Sequence, residues 1–220
     1  MQRMDERDME LTKDKLRILI ADDHLLFRMG LKTLIQSEAD LEVVGEAKNG
    51  KECLRLYQKM QPDLLLLDLR MPEVDGIETL TLVRKYDAQA SALVLTSYGT
   101  EEEIYQAIQL GAMGFVLKDV GREELTRAIR AVCQGKKWIP PGIAISLAER
   151  VTRQNLTVRE VDILHLLVKG LMNREIASIF GVSQSTVKNQ INHLFSKLEV
   201  TDRTEAATVA IQRGIVRLDA

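Results

Sequence analysis

Along the first 135 positions, apolar residues follow two alternating rhythms. Short, mostly apolar runs occur at Leu16-Arg17-Ile18-Leu19-Ile20-Ala21, Leu41-Glu42-Val43-Val44-Gly45, Leu64-Leu65-Leu66-Leu67, Ala92-Leu93-Val94-Leu95-Thr96 and Gly114-Phe115-Val116-Leu117. Longer stretches with helical spacing separate them. Near-continuous apolar runs suit strands covered on both faces, so the alternation predicts an α/β domain with a doubly wound, five-stranded parallel sheet. Helix starts carry their own chemistry. Thr100 and Glu103 form a capping box, and the acidic run Glu101-Glu102-Glu103 suits the positive end of a helix dipole. Gly121, followed by Glu123-Glu124, opens a further helix that runs to Gln134 before Gly135.

The rhythm breaks at Lys136-Lys137-Trp138-Ile139-Pro140-Pro141-Gly142, where consecutive prolines oppose both helix and sheet. The expected division is a polar N-terminal extension over 1–15, a first domain over 16–138, a partly helical linker over 139–154 and an all-α domain over 155–220. In the last of these, Thr157 and Glu160 make a second capping box on a helix ending near Gly170, and further helices start at Asn173, Ser183 and Thr201 or Asp202. Val187, Ile191, Leu194 and Leu198 recur at helical spacing as a buried stripe. Gln184, Lys188 and Asn192 line a different face of the same helix. With Gly181 supplying a tight turn after a short helix, this is a four-helix unit containing a helix-turn-helix, whose polar face suits the major groove of double-stranded DNA.

Composition narrows the classes. A chain of 220 residues with 45% hydrophobic and 28% charged residues accommodates two globular domains. No apolar run is long enough to span a membrane, and the charged start Met1-Gln2-Arg3-Met4-Asp5-Glu6 does not read as a signal peptide; the expected location is the cytoplasm, with no membrane partner. Cys53 and Cys133 lack metal-site or disulfide spacing and read as small core residues. The net charge of −2 divides into +2 from Val151 onward and −4 before it. That bias is too mild to argue nucleic-acid binding and only removes an objection to it.

Candidate chemistry sits at strand ends. Asp22-Asp23, Asp68 and Lys118 each follow an apolar run, and in a doubly wound sheet residues just beyond the carboxyl ends of strands converge. Crowded carboxylates repel unless a hard cation joins them, and oxygen-only ligation suits Mg²⁺. Asp68 is then a candidate nucleophile, with Lys118 as a point charge beside it. Thr96 ends its strand with a hydroxyl donor. His24, beside the acidic pair, reads as a surface or helix-starting residue more readily than as a metal ligand.

Together, Asp22-Asp23, Asp68 with Met71-Pro72-x-x-Asp75-Gly76, Thr96 and Lys118 resemble the receiver domain of two-component response regulators, over about 120 residues. The resemblance implies a flavodoxin-like fold, Asp68 as phosphoacceptor and a Mg²⁺ site. Asp23 would bind the ion directly and Asp22 through water, with Asp68 and the backbone carbonyl of Arg70 completing the metal set. It also implies a sensor histidine kinase as phosphoryl donor. Thr96 and Phe115 would form a switch in which a hydroxyl shift is coupled to inward movement of an aromatic ring; Phe115 has no hydroxyl, so its inward state depends on packing alone. Arg70 and Tyr98, two positions beyond Asp68 and Thr96, are expected to flank the path of attacking water and slow dephosphorylation. Aspartate-nucleophile phosphohydrolases need a second Asp two positions after the nucleophile, where this chain has Arg70. The expectation is therefore a phosphoryl acceptor with self-phosphorylation and dephosphorylation chemistry, and not an enzyme.

Leu156-Thr157-x-Arg159-Glu160, Gly170, Asn173-x-Glu175-Ile176-Ala177, Val182-Ser183-x-x-Thr186-Val187-Lys188, Lys197-Leu198 and Arg203 resemble the LuxR-type (NarL/FixJ) DNA-binding domain. Glu199 departs from it at a helix end where relatives often carry Gly. The resemblance implies DNA contacts from Gln184, Ser185, Lys188, Asn189, Asn192 and Lys197, and a homodimer when active. One weakly positive copy would make few phosphate contacts. Ala206, Val209 and Ala210, on a last helix rich in small apolar residues, are the candidate dimer face. The combined expectation is a transcriptional regulator whose phosphorylation controls dimerisation and DNA binding. The alternative is a receiver that docks a protein or ligand on a constitutively DNA-binding regulator.

Overall fold

The computed structural model describes residues 15–97 and 99–216. All but Lys15 of the N-terminal extension, and Tyr98, lie outside the described residues. Packing divides the chain into two units, one of residues 1–99 with 106–143 and one of residues 100–105 with 144–220.

In the first unit, β1 (Leu16–Ala21), β2 (Leu41–Ala47), β3 (Leu64–Asp68), β4 (Ala92–Thr96) and β5 (Gly114–Leu117) form one sheet in the order β2-β1-β3-β4-β5. Every adjacent pair is parallel. Strand alternation sorts the apolar runs between two faces. Ile18, Ile20, Leu64, Leu66, Leu93, Leu95 and Val116 pack with Leu31 and Ile35 of α1 (Leu25–Gln36) and with Leu125, Ala128, Ile129 and Val132 of α5 (Arg122–Cys133). Leu19 faces the other way. Both Leu19 and Leu56 of α2 (Gly50–Met60) lie against Gly45, at 2.9 and 3.7 Å from where a Cβ would stand. Burial on both faces is why these strands lack the polar alternation of a half-exposed sheet. Cys53 belongs to this packing, and burial pushes its thiol up to about 12; Cys133, also pushed up chiefly by burial, reaches about 11. Neither is a reactive thiolate at neutral pH.

The order places β1 between β2 and β3, so the chain reverses direction across the sheet at the β1–β3 pair. A crevice forms at such a reversal, outside the carboxyl ends of the strands. Asp22-Asp23 follow β1, and Asp68 ends β3.

The second unit is helical: most of α6 (Pro141–Thr152), then α7 (Val158–Val168), α8 (Asn173–Phe180), α9 (Gln184–Leu198) and α10 (Arg203–Gln212). The proline-marked linker is more regular than expected. Pro141 stands at the first helical position, where its missing N–H would have no intrahelical partner anyway. The Thr157 box is complete, with Thr157 N–H donating to Glu160 Oε2 at 2.7 Å and Glu160 N–H to Thr157 Oγ1 at 3.3 Å. Ile163, Leu164 and Leu167 of α7, Ile176 of α8, Val187, Ile191, Leu194 and Leu198 of α9, and Ala206 and Ala210 of α10 share one core.

Glu199 closes α9 in the left-handed region, at φ 61° and ψ 43°, and its N–H donates to Phe195 O. Val200 then turns back and is buried in the same core. An L-residue is disfavoured in this conformation, whereas glycine adopts it freely but loses more entropy on folding. Glu199→Gly is expected to stabilise the helical unit by about 0.5–1 kcal/mol. Urea unfolding checks this, and an unchanged or lowered midpoint would count against strain at the position.

Candidate functional site

Asp22 and Asp68 are buried, while Asp23 is exposed at the rim of the crevice. Lys118, one residue past β5, extends its ammonium between the two buried carboxylates, with Nζ 2.6 Å from Asp22 Oδ2 and 2.7 Å from Asp68 Oδ2. The same Nζ lies 4.9 Å from the centroid of the Phe27 ring. Three carboxylates and one ammonium expected from separate strand ends therefore occupy one place. Burial pushes the Asp68 carboxyl above its ordinary range, and Asp22 adds to this; Lys118 and the Arg70 N–H, which donates to Asp68 Oδ1 at 3.2 Å, work in the opposite direction without overcoming it. Burial also tends to lower the Lys118 pKa, but Asp22 and Asp68 outweigh it and hold the ammonium above its usual value. One ammonium among three carboxylates leaves the cluster net negative, so an added divalent cation is electrostatically favoured.

The loop after β3 owes its shape to close packing. Gly76 N–H donates to Leu69 O at 2.9 Å, and a Cβ on Gly76 would stand only 2.3 Å from Asp68 O. Asp75 caps α3 (Gly76–Tyr86) by accepting from Glu78 N–H at 2.9 Å. Only glycine lets this helix start press against the strand carrying Asp68, and this gives the Met71-Pro72-x-x-Asp75-Gly76 motif a physical role. Thr96 is buried at the end of β4, and its carbonyl accepts from Lys118 N–H at 2.9 Å. Phe115 is fully buried, so its ring already lies inward. Arg70 is exposed. A cleft of about 480 Å³, lined by His24, Leu26, Phe27, Ser97, Lys118 and Asp119, opens beside the cluster.

Three residues at this site carry no strand-end signal. Phe27 lies near the ammonium, Arg28 donates through Nη1 to Asp22 O at 2.5 Å, and His24 lies against the carboxylates. All belong to the start of α1, and only their nearness in sequence to Asp22-Asp23 could have suggested them.

In the helical unit, α8 ends at Gly181 in the left-handed conformation, φ 64°. Ser183 then caps α9, its hydroxyl accepting from Thr186 N–H at 3.1 Å. Val187, Ile191, Leu194 and Leu198 face the core, and Gln184, Ser185, Lys188, Asn189 and Asn192 are all exposed. That surface is free to enter a groove.

Lys197 and the candidate dimer face are corrected. The Lys197 ammonium points inward, 2.7 Å from Glu160 Oε2 and 3.4 Å from Asn155 O, and ties α9 to the capped start of α7. Burial tends to raise the Glu160 pKa, but Lys197 and the Thr157 N–H and hydroxyl outweigh it and hold the carboxyl below its ordinary range. In this structure the Lys197 ammonium is engaged by Glu160 and not directed outward like Lys188. Lys197→Ala is accordingly expected to destabilise the helical unit by about 1.5–3 kcal/mol at neutral pH, leaving the salt dependence of DNA binding unchanged. A folded pKa below the ordinary 4.5 contributes stability that is fully present above that pH and lost as pH falls through the folded value. Urea unfolding of wild type and variant at pH 7 and at pH 3–4 checks the sign: their difference should narrow in acid. Ala206 and Ala210, expected on a dimer face, are fully buried in the unit's own core because they face α7 and α9. Val209 is half-buried, and Ile211 is the larger exposed apolar residue on α10.

Comparison with known proteins identifies both domains. The family described as "Response regulator receiver domain" matches residues 18–130, and that described as "Bacterial regulatory proteins, luxR family" matches residues 154–210. The chain belongs to the response regulators that join a receiver domain to a LuxR-type helix-turn-helix domain. Among its relatives, the transcriptional regulatory protein YdfI of Bacillus subtilis is 38% identical over 212 residues, spanning 92% of this chain and 99% of YdfI. The response regulator protein VraR of Staphylococcus aureus is 34% identical over 207 residues, spanning 92% of this chain and 99% of VraR. A solved complex of the response regulator RcsB with DNA matches with a TM-score of 0.67 and 26% identity, over 89% of this chain and 98% of that one.

Proposed function

We propose that this protein is a DNA-binding transcriptional regulator switched by phosphorylation of Asp68. The observation that carries the reading is the Lys118 ammonium bridging Asp68 and Asp22 at the β1–β3 reversal. Asp22, Asp23, Asp68 and the Arg70 carbonyl would hold Mg²⁺, which when bound supplies positive charge to the phosphoryl oxygens. An Asp68 carboxylate oxygen forms the new bond to phosphorus as the bond to the leaving group breaks in line. Lys118 exchanges its carboxylate partners for the growing phosphoryl charge, and Thr96 donates its hydroxyl to the new group. The chain acts as an acceptor with its own phosphorylation and dephosphorylation chemistry, not as an enzyme with a separate substrate.

A sensor histidine kinase is the proposed donor. The exposed face of α9 reads double-stranded DNA in the major groove, while homodimerisation supplies the phosphate contacts that one weakly charged copy lacks. The RcsB–DNA complex supports this use of the domain. Among the described residues no helix is long and apolar enough to cross a membrane, and we place the protein in the cytoplasm.

The test is quantitative DNA binding with and without acetyl phosphate and Mg²⁺. The reading expects tighter binding of the treated protein to its operator. Equal affinity under both conditions would favour a receiver that serves as a docking module on a constitutive DNA binder.

A further inference from the structure

The segment that follows β2 touches both halves of the acidic site. Ala47 O accepts from Asp22 N–H at 3.1 Å, and the residues just after it grip the loop between β3 and α3, which carries Arg70. Asn49 Nδ2 donates to Glu73 Oε1 at 3.1 Å, Gly50 N–H to Val74 O at 3.3 Å, and Lys51 Nζ to Glu73 Oε2 at 3.1 Å. Asn49 also caps α2, its Oδ1 accepting from Glu52 N–H at 2.9 Å, so its amide donor is held by the helix it starts. Gly50 is buried, and a Cβ there would stand 2.6 Å from Val74 Cγ1 and 2.1 Å from Thr79 Oγ1. The start of α2 therefore presses directly on the loop. Glu73 itself has φ 67°, a left-handed conformation that is unfavourable for an L-residue. Such strain persists where surrounding contacts impose it, and it collects at functional loops.

We infer that Glu73, gripped by Asn49, is a positioning residue of the phosphorylation site: it fixes the β3–α3 loop and with it the Arg70 carbonyl that would complete the metal set. The loop is pinned at two places. At its base Gly76 N–H donates to Leu69 O at 2.9 Å, and at its tip Glu73 and Val74 meet Asn49, Gly50 and Lys51. Arg70 lies between these pins, with its own N–H on Asp68 Oδ1 at 3.2 Å. A carbonyl ligand has no rotamer of its own, so its direction is set by the neighbours that hold the peptide plane. The Lys51–Glu73 pair is exposed at both ends and contributes little by itself. The half-buried Asn49 amide is the main grip. The inference rests on the proposed metal site and adds to it a residue that touches neither the ion nor the phosphoryl group.

Calorimetric titration of the full, unphosphorylated chain with Mg²⁺ tests it, alongside urea unfolding of each variant. Glu73→Ala should weaken Mg²⁺ binding roughly tenfold. Asn49→Ser should weaken it as well, since serine keeps an oxygen to cap α2 but lacks the amide donor. Glu73→Gln keeps an acceptor for Asn49 and should stay close to wild type, which separates positioning from the loss of a negative charge near the cation. Glu73→Gly relieves the left-handed strain, so it should unfold at a urea midpoint equal to or above that of Glu73→Ala while binding Mg²⁺ as weakly. A merely structural role would not separate stability from affinity in this way. Mg²⁺ affinity equal to wild type in Glu73→Ala and Glu73→Gly, or in Asn49→Ser, would overturn the positioning role while leaving the carboxylate site standing. Equal weakening in Glu73→Gln and Glu73→Ala would do the same, because charge alone would then explain the effect. An Asp23→Asn variant that binds Mg²⁺ as tightly as wild type would instead overturn the metal site itself.

Discussion

Asp68→Asn is expected to abolish phosphate uptake from acetyl phosphate, and Asp23→Asn to reduce it sharply. Asp68 ends β3, and its Oδ2 sits 2.7 Å from Lys118 Nζ. Asn keeps the shape but has no charged oxygen with which to form the acyl phosphate, so the loss should be complete. Asp23 lies at the exposed rim, where its carboxylate would contribute to holding the divalent cation. Removing one charged ligand from so small a set should weaken binding of the ion and, with it, the rate of transfer. Intact-mass spectrometry after incubation with acetyl phosphate and Mg²⁺ reads both effects, and omission of Mg²⁺ should resemble Asp23→Asn. Equal uptake by Asp68→Asn would sink the assignment.

Asn192→Ala is expected to reduce discrimination between the operator and altered operators by about 1–3 kcal/mol at the base it reads. Asn192 is exposed on the same side of α9 as Gln184 and Lys188, beside a stripe that is buried from Val187 to Leu198. An amide bonds adenine through two hydrogen bonds, whereas a lysine ammonium reaches guanine or a phosphate as a point charge. Lys197 makes a useful contrast, because its ammonium is held by Glu160 and its removal should alter stability while leaving sequence preference intact. Titrating these variants against cognate and scrambled duplexes at several salt concentrations separates the effects. If Asn192→Ala loses affinity equally for every duplex, a different face of α9 enters the groove.

Much of this architecture was legible in order along the chain. Five apolar runs alternating with helical stretches gave a parallel sheet because strands covered on both faces need no polar positions. That topology in turn implied that residues just past the strands meet, and Asp22, Asp68 and Lys118 do meet. The stripe of Val187, Ile191, Leu194 and Leu198 likewise identified the inner face of α9, since helical spacing alone fixes which side chains share a side.

What the sequence could not determine is where a side chain goes when two directions are equally compatible with its place on an element. Sequence position alone makes Lys197 a candidate phosphate contact, but whether a lysine near a helix end turns to solvent or inward depends on a carboxylate brought from α7, 37 residues earlier. By sequence, Ala206 and Ala210 suit a dimer face because α10 carries more small apolar residues than one core stripe requires. Only the packing of α10 against α7 and α9 shows how much of that surface is already used. His24 is the same case at the other site, its ring turned toward Asp23 by a loop whose shape follows from the sheet. Local pattern fixes the period and the face of an element, because those depend on backbone geometry. The partner of a long or small side chain depends on distant segments, and only the tertiary fold brings those into contact.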